Sequence, residues 1–522
     1  MEHAGLLMLV VMGSVIGLHS LARRVRAPYP VLLVLGGMAL GFLPGMPRVE
    51  VLPGLVLVVF LPPLLFAAGF YTTPRDLRAD GRTIALMAVV LVLWTLATVA
   101  LAAHLLVGLS WPAAVTLGAI LGPTDPIAAL TMARRIGLPR RLVTLLDGEG
   151  LFNDATALIS YRFAVAATLG SGVAAGMVVW RLVFETVGGV LVGVAAGWVA
   201  TGVRRRTDDP MVAVTVSLLA AYGAYLPAQR LGVSGVLAVL TCGVYFGRRI
   251  PVLGVASGRL LMLSFWEVLV YLLNAGLFIL IGLQLPAILA RVAGDSATRL
   301  VGAAALLTAT VVGTRFLWVF TVPYVIRALD RRPAQLTRRI AARERVVMAW
   351  CGMRGAVSLA LAMALPTAFP HRDFVVFLTF GVVLGTLVVP GLTLPVVARR
   401  LRLDTGTGAA VRDELRARLT ATEAALVRLE QLAMEDWVRQ ETVERLETAY
   451  RYRRHELAAD VEDRHHPHDD RRLARELVDV QHRVVLRLRD GGAINTEALH
   501  RIDRDLDLER SLLERERPDR ER

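Results

Sequence analysis

The 522-residue sequence contains no lysine, so every fixed positive side chain in it is an arginine. Cysteine is almost as scarce. The only two, Cys242 and Cys351, fall inside apolar runs, which excludes a disulfide framework and a cysteine-built metal centre. Acidic residues are thin before about residue 400 and dense after it. What is plentiful is apolar: 55% of the chain is hydrophobic, although aromatic residues supply only 7%.

Before residue 400, apolar runs of about 16–25 residues recur, separated by short loops rich in Arg, Pro and Gly. About 20 helical residues cross a ~30 Å hydrocarbon layer, and a soluble protein has no place for so many helices that are apolar all round. The sequence therefore predicts an all-α polytopic membrane protein. Thirteen spans are expected: 4–22, 28–45, 52–71, 83–107, 112–133, 144–168, 180–203, 211–226, 233–247, 262–284, 300–325, 346–366 and 374–398. The first run lacks a basic segment before it and carries its arginines after it, unlike a signal peptide.

Arginine placement sets the expected orientation. The loops after the odd-numbered spans hold Arg23, Arg24 and Arg26; Arg75, Arg78 and Arg82; Arg134, Arg135, Arg140 and Arg141; Arg204, Arg205 and Arg206; Arg248, Arg249 and Arg259; and seven arginines between Arg327 and Arg345. The loops after even-numbered spans hold isolated ones, such as Arg48, Arg230 and Arg372. This pattern puts the N-terminus outside a bacterial plasma membrane and the C-terminus in the cytosol. The formal net charge of +14 is then a topology signal and gives no reason to expect a nucleic-acid partner.

From residue 401 to 522 the chain turns highly charged, with apolar residues at spacings of three and four. A cytosolic helical tail, a candidate regulatory region, is expected there. The segment "DRHHPHDD" at 463–470 breaks it and reads as a solvated linker.

Ionisable residues inside a membrane are costly, about 2.5–3.5 kcal/mol at a helix centre even on insertion scales, so they pair, line water or bind something. The fifth span carries "GPTDP" at its midpoint. Pro123 and Pro126 remove backbone donors and should interrupt the helix beside Thr124 and Asp125. Broken backbone at that depth frees carbonyls for a cation, and Asp125 is placed to cap the following half-helix. The sixth span carries "GEGLFNDATAL". There Glu149 and Asn153 share one face, and Gly150 and Asp154 share its neighbour, with Gly150 leaving space beside the carboxylate. In the twelfth span, Arg354 sits in "WCGMRGAVS". It needs an acid or a ring of carbonyls, and Glu149 is the expected partner. Arg315 in the eleventh span is a second central arginine, and the tenth span adds Glu267 and Asn274. Arg162, further out on the sixth span, is assigned no chemistry. The fifth and twelfth spans run in opposite directions and both break near their midpoints, the pattern of inverted-repeat transporters.

The segments "GPTDPIAA" (122–129), "GEGLFNDATAL" (148–158), "FWEVLVYLLNAGLFILIGLQL" (265–285) and "WCGMRGAVSLALAMALP" (350–366) resemble the cation:proton antiporter-1 family, in its bacterial branch of sodium/proton exchangers. The likeness covers about residues 4–400. It implies thirteen helices, a core that moves against a dimerisation domain, crossed broken helices at the ion site, and a homodimer. By the same likeness Asp154 is the ion- and proton-binding aspartate, Asn153 its partner and Thr124 an ion ligand. Asp125 compensates half-helix ends, Glu149 and Arg354 form a structural salt bridge, and Arg315 is a supporting arginine. Two departures stand out. Gly150 replaces a serine common in the family, and Ala67 in "LPPLLFAAG" replaces a glutamate, which leaves Arg315 without that partner.

The implied function is secondary exchange of a monovalent cation, sodium above potassium or lithium, for protons. Desolvation disfavours an unpaired charge on Asp154, so proton and cation compete for it, and only loaded forms alternate between faces. Asn153 adds no titratable charge, which points to electroneutral exchange. No cofactor and no enzyme activity are expected. A cation channel is the first alternative, but no filter-like repeat is present. An intramembrane aspartyl protease is the second, but Asp125 and Asp154 lie in "TDP" and "ND" contexts that do not suit one.

Overall fold

The structure, a computed structural model, describes residues 2–461 except 26–27, 45–52, 73–77, 171–174, 208, 251–255, 293, 295, 330–339, 402–406 and 436, with a few positions between 477 and 485. The linker expected at 463–470, the tail helix expected beyond it, and Arg26, Arg48 and Arg75 lie outside the described residues.

Among the described residues every regular element is helical, and eleven of the thirteen expected spans each coincide with one. These are α1 (Glu2–Val25), α2 (Tyr29–Gly41), α3 (Pro53–Tyr71), α4 (Gly81–Val107), α6 (Arg140–Thr168), α7 (Ala175–Arg204), α8 (Pro210–Arg230), α9 (Gly235–Arg249), α10 (Ala256–Leu283), α11 (Ala297–Leu329) and α13 (Arg372–Arg400). The fifth and twelfth spans are each split in two. Trp111–Leu121 (α5a) is followed by Pro126–Ile136 (α5b), and Ala342–Trp350 (α12a) by Ala356–Met363 (α12b). The breaks fall where the sequence withdraws helix support: Pro123 and Pro126 in one, Gly352 and Gly355 in the other. α4 stays continuous but passes through two π-helical stretches, Leu86–Leu91 and Ala103–Val107.

Buried apolar side chains form two clusters. One gathers α2, α4, α5a, α5b, α11, α12a, α12b and α13. The other gathers α3, α8 and α9 with part of α10. Helices α6 and α10 belong to both: on α6, Leu142, Leu145 and Leu146 pack into the first and Ala155 into the second, and on α10, Phe278 and Ile279 into the first and Trp266 into the second. The polar stretch of α6 therefore sits where the two clusters meet. Helices α7 and α9 lie parallel, because a Cβ on Gly189, Gly193 or Gly197 would meet Ser234, Ala238 or Tyr245 in the same order. Small residues at every fourth position allow this close approach without any hydrophobic drive between helices in lipid.

The chain divides into two compact units, residues Met1–Asp404 and Thr405–Arg522. In the second, α14 (Thr407–Leu432) and α15 (Gln440–Val461) pack on each other.

Candidate ion-binding site

The two helix breaks touch. The Asp125 amide donates to the carbonyl of Met353 across 2.8 Å, joining the break of the fifth span to that of the twelfth. A helix that stops inside the protein leaves carbonyls unpaired at its C-terminal end and a partial negative charge there. Two buried arginines meet these ends. Arg354 donates through Nε to the carbonyl of Leu121, the last residue of α5a, at 3.1 Å, and through Nη1 to the carbonyl of Gly352 just beyond α12a. Arg315 donates through Nε to the carbonyl of Met348 in the last turn of α12a, at 3.2 Å. The opposite pole is met by an acid. Gly355 is the N-cap of α12b, and the Asp125 carboxylate fills the space that a Cβ on Gly355 would need.

One expectation is overturned here. Glu149 pairs with Arg315 and not with Arg354. The Arg315 guanidinium grips both Glu149 oxygens, Nη1 to Oε1 and Nη2 to Oε2 at 2.7 Å, with both side chains almost wholly buried. Such a fork is the strongest arrangement for this pair. Arg354 takes instead the ring of carbonyls, and its own amide donates to Thr386 Oγ1 at 3.1 Å. Arg315 therefore does not lack an acid for want of a glutamate at position 67. Ala67 is buried in the second apolar cluster, beside Phe66.

Thr124 and Asn153 complete the network. Thr124 Oγ1 donates to Glu149 Oε1 at 3.0 Å, while Asn153 Nδ2 donates to Thr124 Oγ1 at 2.8 Å and to the Thr124 carbonyl at 3.0 Å. The remaining Asn153 oxygen, Oδ1, is buried without a hydrogen-bond partner. Asp154, next along α6, is 8% exposed. Among the described residues none donates a hydrogen bond to its carboxylate or pairs with it, and Asp125 lies within electrostatic range. A buried acid without donors, beside a buried oxygen without a donor, is an arrangement suited to a proton or a cation.

The other expected residues sort themselves by position. Gly150 is buried on α6. Asn274 is buried on α10 with Oδ1 unpartnered, whereas Glu267 is exposed on the same helix and stands apart from the network. Arg162 reaches Glu185 at 3.5 Å in a partly exposed pair. Two polar residues escaped the sequence argument. Thr386 holds the Arg354 backbone, and Ser358 on α12b is buried with its hydroxyl unpartnered. Both were legible only as lone hydroxyls in apolar runs.

Residues 8–400 match the family described as sodium/hydrogen exchanger, transmembrane. An uncharacterised Na+/H+ exchanger of Mycobacterium tuberculosis is 35% identical over 515 residues, covering 96% of this chain and 93% of that one. The Na+/H+ antiporter ApNhaP of Aphanothece halophytica is 33% identical over 410 residues, 77% of this chain and 75% of that one. Among solved structures, the sodium proton antiporter MjNhaP1 of Methanocaldococcus jannaschii superposes with a TM-score of 0.59 at 19% identity, covering 77% of this chain and 99% of that one. At that identity the structural likeness speaks for the fold.

Proposed function

The chain belongs to the transmembrane sodium/hydrogen exchanger family, and from that premise we propose how its centre works. It is a membrane antiporter that exchanges a monovalent cation for protons. Asp154 is the carrier of both. A carboxylate held out of water is unfavourable while charged and unpaired, so it takes either a proton or a cation, with sodium as the cation. Thr124 and the free Asn153 oxygen complete the cation's shell, with Gly150 leaving room beside it. The empty charged site crosses the barrier too slowly to leak. Cation and proton therefore travel in opposite directions, one for one, because Asn153 carries no titratable charge and is committed to Thr124 through Nδ2.

Glu149 and Arg315 fix Thr124, while Arg354 and Asp125 neutralise the half-helix poles. Neither group is consumed in transport. The arginine-rich loops favour an outside N-terminus and a cytosolic C-terminus, and the functional unit is a homodimer in a bacterial plasma membrane. Chemical cross-linking in membranes tests the dimer.

The observation that carries the proposal is the buried Asp154 carboxylate, without a donor among the described residues, lying beside crossed helix breaks. Everted vesicles loaded with a pH-sensitive dye test it. Asp154→Asn should abolish the collapse of the proton gradient on adding sodium, at normal protein levels. Collapse at the wild-type rate would show that the exchanged charge sits elsewhere.

A further inference from the structure

Away from the helix breaks, α7 and α9 end side by side. Between their last turns lies a cavity of about 400 Å³ lined by Trp198, Thr201, Gly202, Arg205, Tyr245 and Arg249. It plays no part in the exchange network described above.

Three observations bear on what it holds. First, its charge is positive, with no compensating acid among the described residues. Arg204, the neighbour of Arg205, turns inward and donates to the carbonyl of Thr207. Arg205 and Arg249, by contrast, have no acidic partner among the described residues. Arg249 lies over the Tyr245 ring, 5.7 Å from guanidinium carbon to ring centre, which leaves its N–H edge available. Thr201 spends its hydroxyl proton on the Gly197 carbonyl at 2.7 Å, so the charged donors lining the cavity are the two guanidinium groups, beside the Tyr245 hydroxyl and the Trp198 indole N–H.

Second, the cavity is lined mainly by apolar surface, with its two arginines towards the ends of the helices. Trp198 is 67% exposed and sits two turns before Arg205, on the same side as Thr201 and Gly202. Upstream of it Val183, Phe184, Val187, Leu191 and Val194 face outward on α7. This is the gradient of a helix leaving hydrocarbon, with an aromatic ring at the headgroup level. Third, α7 and α9 run parallel, so both sets of terminal arginines emerge on one side, the side of the arginine-rich loops.

We infer that this cavity is a binding site for the phosphate headgroup of an anionic phospholipid in the arginine-rich leaflet. The guanidinium groups of Arg205 and Arg249 hold the phosphodiester, Trp198 and Tyr245 flank the glycerol, and the acyl chains lie along the apolar face of α7. Basic pockets between membrane helices recognise headgroups in this way, and guanidinium matches phosphate geometry.

Native mass spectrometry of the full chain, released from nanodiscs of equal phosphatidylglycerol and phosphatidylcholine, tests the assignment. The wild type should retain phosphatidylglycerol preferentially. Arg205→Gln with Arg249→Gln should weaken that retention roughly tenfold to thirtyfold, with the melting temperature in phosphatidylcholine alone unchanged. Gly202→Leu offers a second route that leaves the charges intact: a Cβ there meets nothing within 4 Å, so the side chain enters the cavity and should expel the lipid. Arg248→Gln, on an exposed arginine that does not line the cavity, should keep the preference.

Undiminished retention in both the double variant and Gly202→Leu would overturn the site. An equal loss in Arg248→Gln would also overturn it, reducing the effect to general surface charge. Glycerol 3-phosphate separates lipid from free phosphate. Failure to displace the lipid at millimolar concentration supports a membrane source, and ready displacement would overturn it in favour of a soluble phosphate compound.

Discussion

Glu149 is held by three donors, two from Arg315 and one from Thr124. Removing either member of a buried ion pair strands the other and costs about 3–5 kcal/mol, while removing both costs less than the sum. Glu149→Ala and Arg315→Ala should therefore each lower the melting temperature sharply in detergent, with a strongly sub-additive double variant. The cycle of Glu149→Ala with Arg354→Ala should show the smaller coupling, because Arg354 spends its donors on carbonyls. Coupling as large as that of Arg315 would reverse the pairing. At Asp154, competition for one carboxylate gives a further expectation. Where the protonated form dominates, each unit fall in pH should raise the half-saturating sodium concentration roughly tenfold by mass action. Initial exchange rates across a pH series check this, and a pH-independent value would argue for separate sites.

The element that matters most is the pair of crossed breaks. Three of the four half-helix ends at the breaks are met by a charge: Arg354 and Arg315 at the carbonyl ends of α5a and α12a, Asp125 at the amide end of α12b. The compensation works because helix-end charges are strong where water is scarce. It also makes the backbone intolerant. Gly355→Ala forces a methyl group into the Asp125 carboxylate, and Gly352→Ala forces one into the Arg315 side chain. Either change should cut exchange by roughly a hundredfold through displacement of the site. Gly223→Ala, where a Cβ meets nothing within 4 Å, should leave exchange unchanged. Vesicle assays normalised to protein level make the comparison, and near-normal activity in Gly355→Ala would show that the breaks need no such fit.

At the scale of the whole molecule, α6 contributes to two apolar clusters, and Asp154, the carrier proposed above, lies on α6. A motion of one cluster against the other would carry Asp154 from one face to the other. Exchange of one cation for one proton moves no net charge, so clamping the potential of proteoliposomes with potassium and valinomycin should leave the initial rate unchanged. A rate that follows the potential would give another stoichiometry. The division of the chain after Asp404, close to the end of the family match at residue 400, predicts that a chain ending there keeps the membrane unit's melting transition. Thermal unfolding of the shortened protein decides it.

The sequence by itself determined the class, the spans and the inventory of the site. Apolar runs are set by bilayer thickness, and Thr124, Asp125, Glu149, Asn153, Asp154, Arg315 and Arg354 were conspicuous because polar groups are so costly there. Prolines at 123 and 126 announced one break outright. The second was marked only by glycine. Which acid meets which arginine was decided by tertiary structure alone. Arg315 and Arg354 are both central in their spans, and residue depth cannot say which one faces Glu149. Packing can, since α12a brings its last carbonyl turn to Arg315 and α5a brings its own to Arg354. The same holds for Asp125, whose carboxylate the fold sets against the N-terminus of α12b, a partner that its place in the sequence does not reveal. Charge compensation depends on distance through space, and only the folded chain fixes that distance.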